Sequence, residues 1–263
     1  MKTINNYILS KIKNETNITE KLKISKPSKV NIKHTLFPSN KKELVQIIKK
    51  EIEEKGNKCS LNHIDVSAVT NMNSLFSDNQ FNGDISEWDV SNVIDMGFMF
   101  QNSNFNKDIS NWDVSNVKNM NCMFQNSNFN KDIFEWDVSN VEDMSFMFKN
   151  SKFNGDISEW DVSSIKTMSH MFNNSKFNGD ISEWDISNVE YMTSMFSYSN
   201  FNKDISKWNV SNVKNMEDMF NNAYKFNKDI SEWQISSNCN VYNMFKDCKI
   251  KDVYKPFKNG KRI

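Results

Sequence analysis

The sequence predicts an α/β protein: a right-handed solenoid of about eight 24-residue coils, closed at its N-terminal side by a capping helix. Three observations carry that expectation. Trp88, Trp112, Trp136, Trp160, Trp184 and Trp208 are 24 residues apart and Trp233 follows after 25, so all seven tryptophans hold one position of a repeat. Phenylalanine keeps the same register, at Phe100, Phe124 and Phe148 and again at Phe105, Phe129 and Phe153. Self-similarity at a period of about 20 to 50 residues marks an array in which each unit buries its apolar side against the next. The third observation is a change of hydrophobic period inside each unit.

Take the unit around Trp88. Ile85, Trp88 and Val90 give I-x-x-W-x-V. Trp88 and Val90 are two apart, as on one face of a strand, with Glu87, Asp89 and Ser91 facing the other way. Val93, Met96, Met99 and Phe100 then follow at spacings that suit one stripe of a short helix, with Ser91 or Asn92 as its N-cap. Gln101 to Asp108 is polar apart from Phe105, and reads as the return turn. Strand, helix and turn fill 24 residues. Residues 61–75 repeat the pattern with Ile64 in the tryptophan position, which gives a solenoid over residues 61–245.

These residues carry a family resemblance. I-x-x-W-x-V has the L-x-x-L-x-L shape of leucine-rich repeats. The string W-D-V-S-N-V-x-x-M-x-x-M-F, followed by F-N-x-D-I-S, resembles the tryptophan-containing repeats of BspA-like leucine-rich repeat surface proteins of bacteria. The resemblance implies a leucine-rich-repeat-like solenoid and a role as an adhesin or partner-binding surface protein. It implies no catalytic site, because fold-level likeness carries no chemistry of its own.

The flanks differ from the array. Residues 1–60 hold 14 lysines against 6 acids, a net +8; residues 61–245 hold 12 lysines against 25 acids, a net −13; residues 246–263 hold 7 basic residues against 2 acids, a net +5. Residues 1–38 read as a basic, poorly ordered arm. Residues 39–60 read as a capping helix and linker: Asn40 and Glu43 have capping-box spacing, Leu44, Ile47, Ile48 and Ile52 form a stripe, and Gly56 suits the C-cap. Residues 246–263 read as a basic cap or tail. No stretch is apolar enough for a signal-peptide core or a membrane span, so no membrane insertion is expected and the cytoplasm is the default compartment, with the cell surface implied by the resemblance.

Candidate binding residues flank the tryptophans. Glu87, Asp89, Asp113, Glu135, Asp137, Glu159, Asp161, Glu183 and Asp185 would share the strand face opposite the tryptophan column. Like charges stacked this way repel, by about 1 kcal/mol at 4 Å in water before screening, so a face kept for stability alone would mix its signs. The competing reading is a solvated face copied by duplication. Asp84 and its equivalents in F-N-x-D-I supply turn hydrogen bonds, with Asn82 and its equivalents able to form a ladder; one aspartate per coil is poor provision for a cation. The tryptophans read as core rather than as a sugar platform. Cys59, Cys122, Cys239 and Cys248 lack paired spacing and read as thiols, and His34, His63 and His170 stand apart from any nucleophile motif.

The sequence therefore predicts no enzyme, no cofactor and no metal. It predicts a module binding a basic protein or peptide through an acidic, concave strand face. Self-association of the basic ends on the acidic coils is the alternative, and a glycan-binding or glycan-acting protein a distant third. Nucleic acid is not an expected partner, since it needs a basic footprint.

Overall fold

A computed structural model of the protein describes residues 33–263. The expected arm over residues 1–38 therefore lies largely outside the described residues. His34–Ile263 forms one compact unit.

The chain does not form the expected right-handed α/β leucine-rich-repeat-like solenoid. Among the described residues, regular structure amounts to helix α1 (Lys41–Lys55), a 3-10 turn (Asp252–Tyr254) and one antiparallel hairpin, β1 (Phe257–Lys258) with β2 (Lys261–Arg262). Neither a strand at I-x-x-W-x-V nor a helix at V-x-x-M-x-x-M-F exists in any repeat. Both segments fold as successive tight turns, and isolated parallel bridges such as Asn71 with Asp95 and Asp95 with Asn119 join repeat to repeat.

The turns have a physical cause. The Trp88 N–H closes a turn on the Ile85 carbonyl at 3.3 Å, and the Val93 N–H closes another on Val90 at 2.9 Å. The Met99 N–H closes a third on Met96 at 3.2 Å, with Phe98 at φ 59 in its third position. A positive φ there is what a type II turn needs and what an α-helix forbids. Four residues on, Asn102 is again left-handed, at φ 52. The N–H groups of Met96, Phe98, Phe100 and Asn102 then point out of the repeat and donate to the carbonyls of Asn119, Asn121, Met123 and Gln125 at 2.7–2.9 Å. An amide spent on the neighbouring repeat is not available to a helix. This four-bond ladder recurs at each joint between successive repeats, always running from one repeat to the following one.

Apolar residues behind the turns form one core. Every tryptophan in the chain is buried, as are Ile85, Val90, Val93, Met96, Met99, Phe100 and Phe105 and their equivalents in the central repeats. The Trp88 and Trp112 rings stack at 6.5 Å, Phe100 and Phe124 at 5.7 Å, and Phe105 and Phe129 at 6.4 Å. Within one repeat Phe100 lies 4.2 Å from Phe105. Three aromatic columns thus run through the array, offset as aromatic pairs prefer. The indole Nε1–H of Trp112 donates to the Ile85 carbonyl at 3.1 Å, and the other six tryptophans repeat the bond. A buried indole needs such a partner, and this one ties each repeat to the one before it.

At the N-terminal side α1 starts where expected. The Asn40 side chain accepts from the Glu43 N–H at 3.1 Å, while the Glu43 carboxylate reaches one residue further back, to the N–H of Ser39 at 2.8 Å. Gly56, at φ 82, ends it. Leu44 and Ile48 join the core, each contributing roughly 1.5–3 kcal/mol. Glu51 is buried with them, against Lys55 at 2.6 Å and His63 at 3.1 Å. Burial opposes its ionisation, yet these partners hold its carboxyl below the ordinary value. Ahead of the helix, Leu36 bridges in parallel to Ile64. In the linker to the second repeat a Cβ at Gly83 would sit 1.9 Å from the Cys59 carbonyl, so only glycine fits.

Candidate functional site

The nine acidic residues named from the sequence are all exposed, but no strand carries them. Glu87 sits at the tip of the Ile85–Trp88 turn, and Asp89 follows Trp88 where the chain runs out toward the next turn. This corrects the basis of the expectation: two different turns, rather than one alternating strand, present the glutamates and the aspartates.

The aspartates are committed to the backbone. One oxygen of Asp89 accepts both the Ser91 N–H at 3.2 Å and the Ser91 hydroxyl at 2.7 Å. Asp113, Asp137, Asp161 and Asp185 accept the N–H two residues on in the same way, and Asn209 does so with an amide oxygen. These are Asx turns. Hydrogen bonds from the side chain and backbone of Ser187 hold the Asp185 carboxyl below its ordinary value. Asp84 does the same for the Ser86 N–H at 3.0 Å, so both aspartate columns shape turns. The anticipated asparagine ladder is present: Asn106, Asn130, Asn154, Asn178, Asn202 and Asn227 each donate an N–H to the side-chain oxygen one repeat back.

The glutamates are different. Among the described residues no ion pair engages the carboxylates of Glu87, Glu135 or Glu159. Glu183 pairs with Lys207 at 2.7 Å, with both side chains 72% exposed, a contact worth little in water. The chemically available part of the site is a column of turn-tip glutamates.

A second charged column escaped the sequence reading. Lys118, Glu142, Lys166, Glu190 and Lys214 occupy one repeat position with alternating sign, and Lys166 meets Glu142 at 2.8 Å while Lys214 meets Glu190 at 2.7 Å. Its alternation at 24-residue spacing was visible, but only after the register was fixed. With three lysines against two glutamates it nearly cancels, at a net +1. At its N-terminal end an open trough of about 490 Å³ runs past Thr70, half-exposed Ile94 and Lys118.

Other reactive groups are dispersed. All four cysteines are unpaired thiols, and burial pushes that of Cys122 up to about 11. His170 stacks on Phe146 at 4.4 Å, and burial, then Lys149, lowers its pKa. Among the described residues no three His, Cys, Asp or Glu converge as metal ligands, and no helix is long and apolar enough to cross a membrane.

The family described as "Mycoplasma protein of unknown function, DUF285" matches residues 42–156 and again 149–255. No curated protein and no solved structure matches the chain.

Proposed function

Since the chain belongs to the DUF285 family of Mycoplasma proteins of unknown function, we propose, on its own geometry, that it is a non-enzymatic binding module that takes a basic protein or peptide along its column of turn-tip glutamates. The observation that carries this reading is the division of labour among the acids. The aspartates beside the tryptophans are consumed by turns, whereas the carboxylates of Glu87, Glu135 and Glu159 engage no described residue and still recur at one repeat position, which Asn111 and Lys207 interrupt. The net charge of −13 over residues 61–245 supplies a field that would draw a cationic partner and set its specificity. The likeness of the repeats to those of BspA-like surface proteins supports display on a cell surface, in an adhesin-like role.

A lysine-rich peptide tests the reading. Its binding, measured by calorimetry at low salt, should weaken several-fold in Glu135→Gln/Glu159→Gln and fade for the parent protein as salt rises. Asp137→Asn/Asp161→Asn removes the same charge from the turns and serves as the comparison: it should weaken binding less, because the capped oxygens are already engaged. Equal binding by the parent and the glutamine variant would overturn the proposal.

A further inference from the structure

The ladder that joins the repeats is directional, and among the described residues the backbone groups of its two end rows are unpaired. At each joint the four ladder donors lie in the earlier repeat and their acceptors in the later one, while bonds just before the ladder, such as Lys118 N–H to the Ile94 carbonyl, run the other way. The first ladder residues therefore have carbonyls with no repeat before them: among the described residues Asn71, Asn73, Leu75 and Ser77 accept no backbone hydrogen bond there. In the last repeat the equivalent of the Met216, Asp218, Phe220 and Asn222 donors is Val241, Asn243, Phe245 and Asp247, and none of these four N–H groups donates to a described residue.

Backbone hydrogen bonds from the described flanking residues avoid these rows, although the Lys255 ammonium lies 5.8 Å from the Phe245 ring centroid and Lys258 Nζ donates to the nearby Cys239 carbonyl at 2.6 Å. At the N-terminal side Thr35 and Leu36 pair with His63 and Asp65, on the tryptophan half of the first repeat. At the C-terminal side Tyr254 accepts from Ile230 at 3.0 Å and the N–H of Lys251 reaches Asn227, again on the tryptophan half. Among the described residues, backbone pairing thus covers each end on the tryptophan half and leaves the ladder half of both ends unpaired. One open row consists of acceptors and the other of donors, at the same two-residue spacing that every internal joint uses.

We infer that this surface takes a second copy of the chain, head to tail, with the donor row of one molecule on the acceptor row of the next. This is a partner and a surface distinct from the glutamate column. Paired edges are how strands recruit other chains, and a head-to-tail contact repeats itself into longer assemblies unless it closes. In such a joint Asn243 of one copy falls beside Ser74 of the next. That position already accepts Phe98, Cys122, Phe146, His170 and Asp218, all left-handed, so it tolerates substitution.

The test is sedimentation of the full chain over a wide concentration range, with amide exchange followed across residues 239–248. The expected result is a series of species beyond the dimer, with exchange in that segment slowing as mass grows. Ser74→Lys/Asn243→Lys should abolish association while leaving the thermal transition in place, and Ser74→Asp/Asn243→Lys should restore it in a salt-sensitive form. A parent protein that stays monomeric at every concentration would overturn the inference. So would association undiminished in the double-lysine variant.

Discussion

The indole of Trp136 donates its Nε1–H to the carbonyl of Ile109, 3.1 Å away in the preceding repeat, and the backbone N–H of Trp112 closes its turn on that same oxygen at 3.2 Å. One carbonyl thus serves both the turn within a repeat and the joint between repeats, using both of its lone pairs. Trp136→Ala should cost about 3–5 kcal/mol by cavity formation, and Trp136→Phe roughly 1–3 kcal/mol by removing the ring's donor. The same alanine change at Trp233 should be milder, since an end repeat couples to fewer neighbours. Chemical denaturation of the three variants measures this; equal losses at both positions would speak against repeat-by-repeat coupling.

Asx turns accept an asparagine as readily as an aspartate, as Asn209 already does. Asp137→Asn should leave the melting temperature nearly unchanged, while Asp137→Ala should cost about 1 kcal/mol. A calorimetric scan in which the two variants melt together would mean that the Ser139 contacts carry no weight.

Acid should unfold the array by the same route. Asp65, Asp185, Asp204 and Asp229 have carboxyls lowered by hydrogen bonds from the serine two residues on. Groups with a depressed folded pKa contribute stability above their unfolded pKa and lose it as pH falls through the folded value. The loss should therefore begin near pH 4 and deepen below it. His170, also depressed, should add a separate loss as pH falls below about 6.5, absent in His170→Phe. Urea midpoints taken from pH 7 to pH 3 would resolve the two steps, and a flat profile would refute both.

Helix α1 buries Leu44 and Ile48 against the first repeat. Deleting residues 1–56 should expose that apolar end and promote aggregation, whereas deleting residues 1–33 leaves every described contact of the compact unit in place. Light scattering of the two truncations gives the comparison; equal solubility would make the helix a passenger.

Much of this was readable in advance. The 24-residue register, the buried tryptophan, phenylalanine and methionine columns, and the helix from Asn40 to Gly56 all follow from spacing and capping chemistry. The local conformation was not. Val93, Met96, Met99 and Phe100 are spaced as a helix would space them, and consecutive turns give the same spacing. What separates the two is the backbone sign at Phe98, Cys122 and His170, residue types that announce no left-handed turn. The second left-handed column did carry a signal, since seven of its eight residues from Asp78 to Asp247 are Asn or Asp, with Tyr198 the exception. The acidic candidates divided for a reason that was also written in the chain. Aspartate in D-V-S or D-I-S has a serine amide two residues away, and the glutamates have none.

The Trp136–Ile109 bond also bears on how such a chain changes length. Every joint repeats the same partners, so removing residues 125–148 would bring Trp160 over Ile109 and renew the contact unaltered. A chain that loses or gains a whole repeat thus keeps its joints and remains foldable. The reach of the glutamate column is therefore heritable in whole repeats, gained or lost a turn of the array at a time.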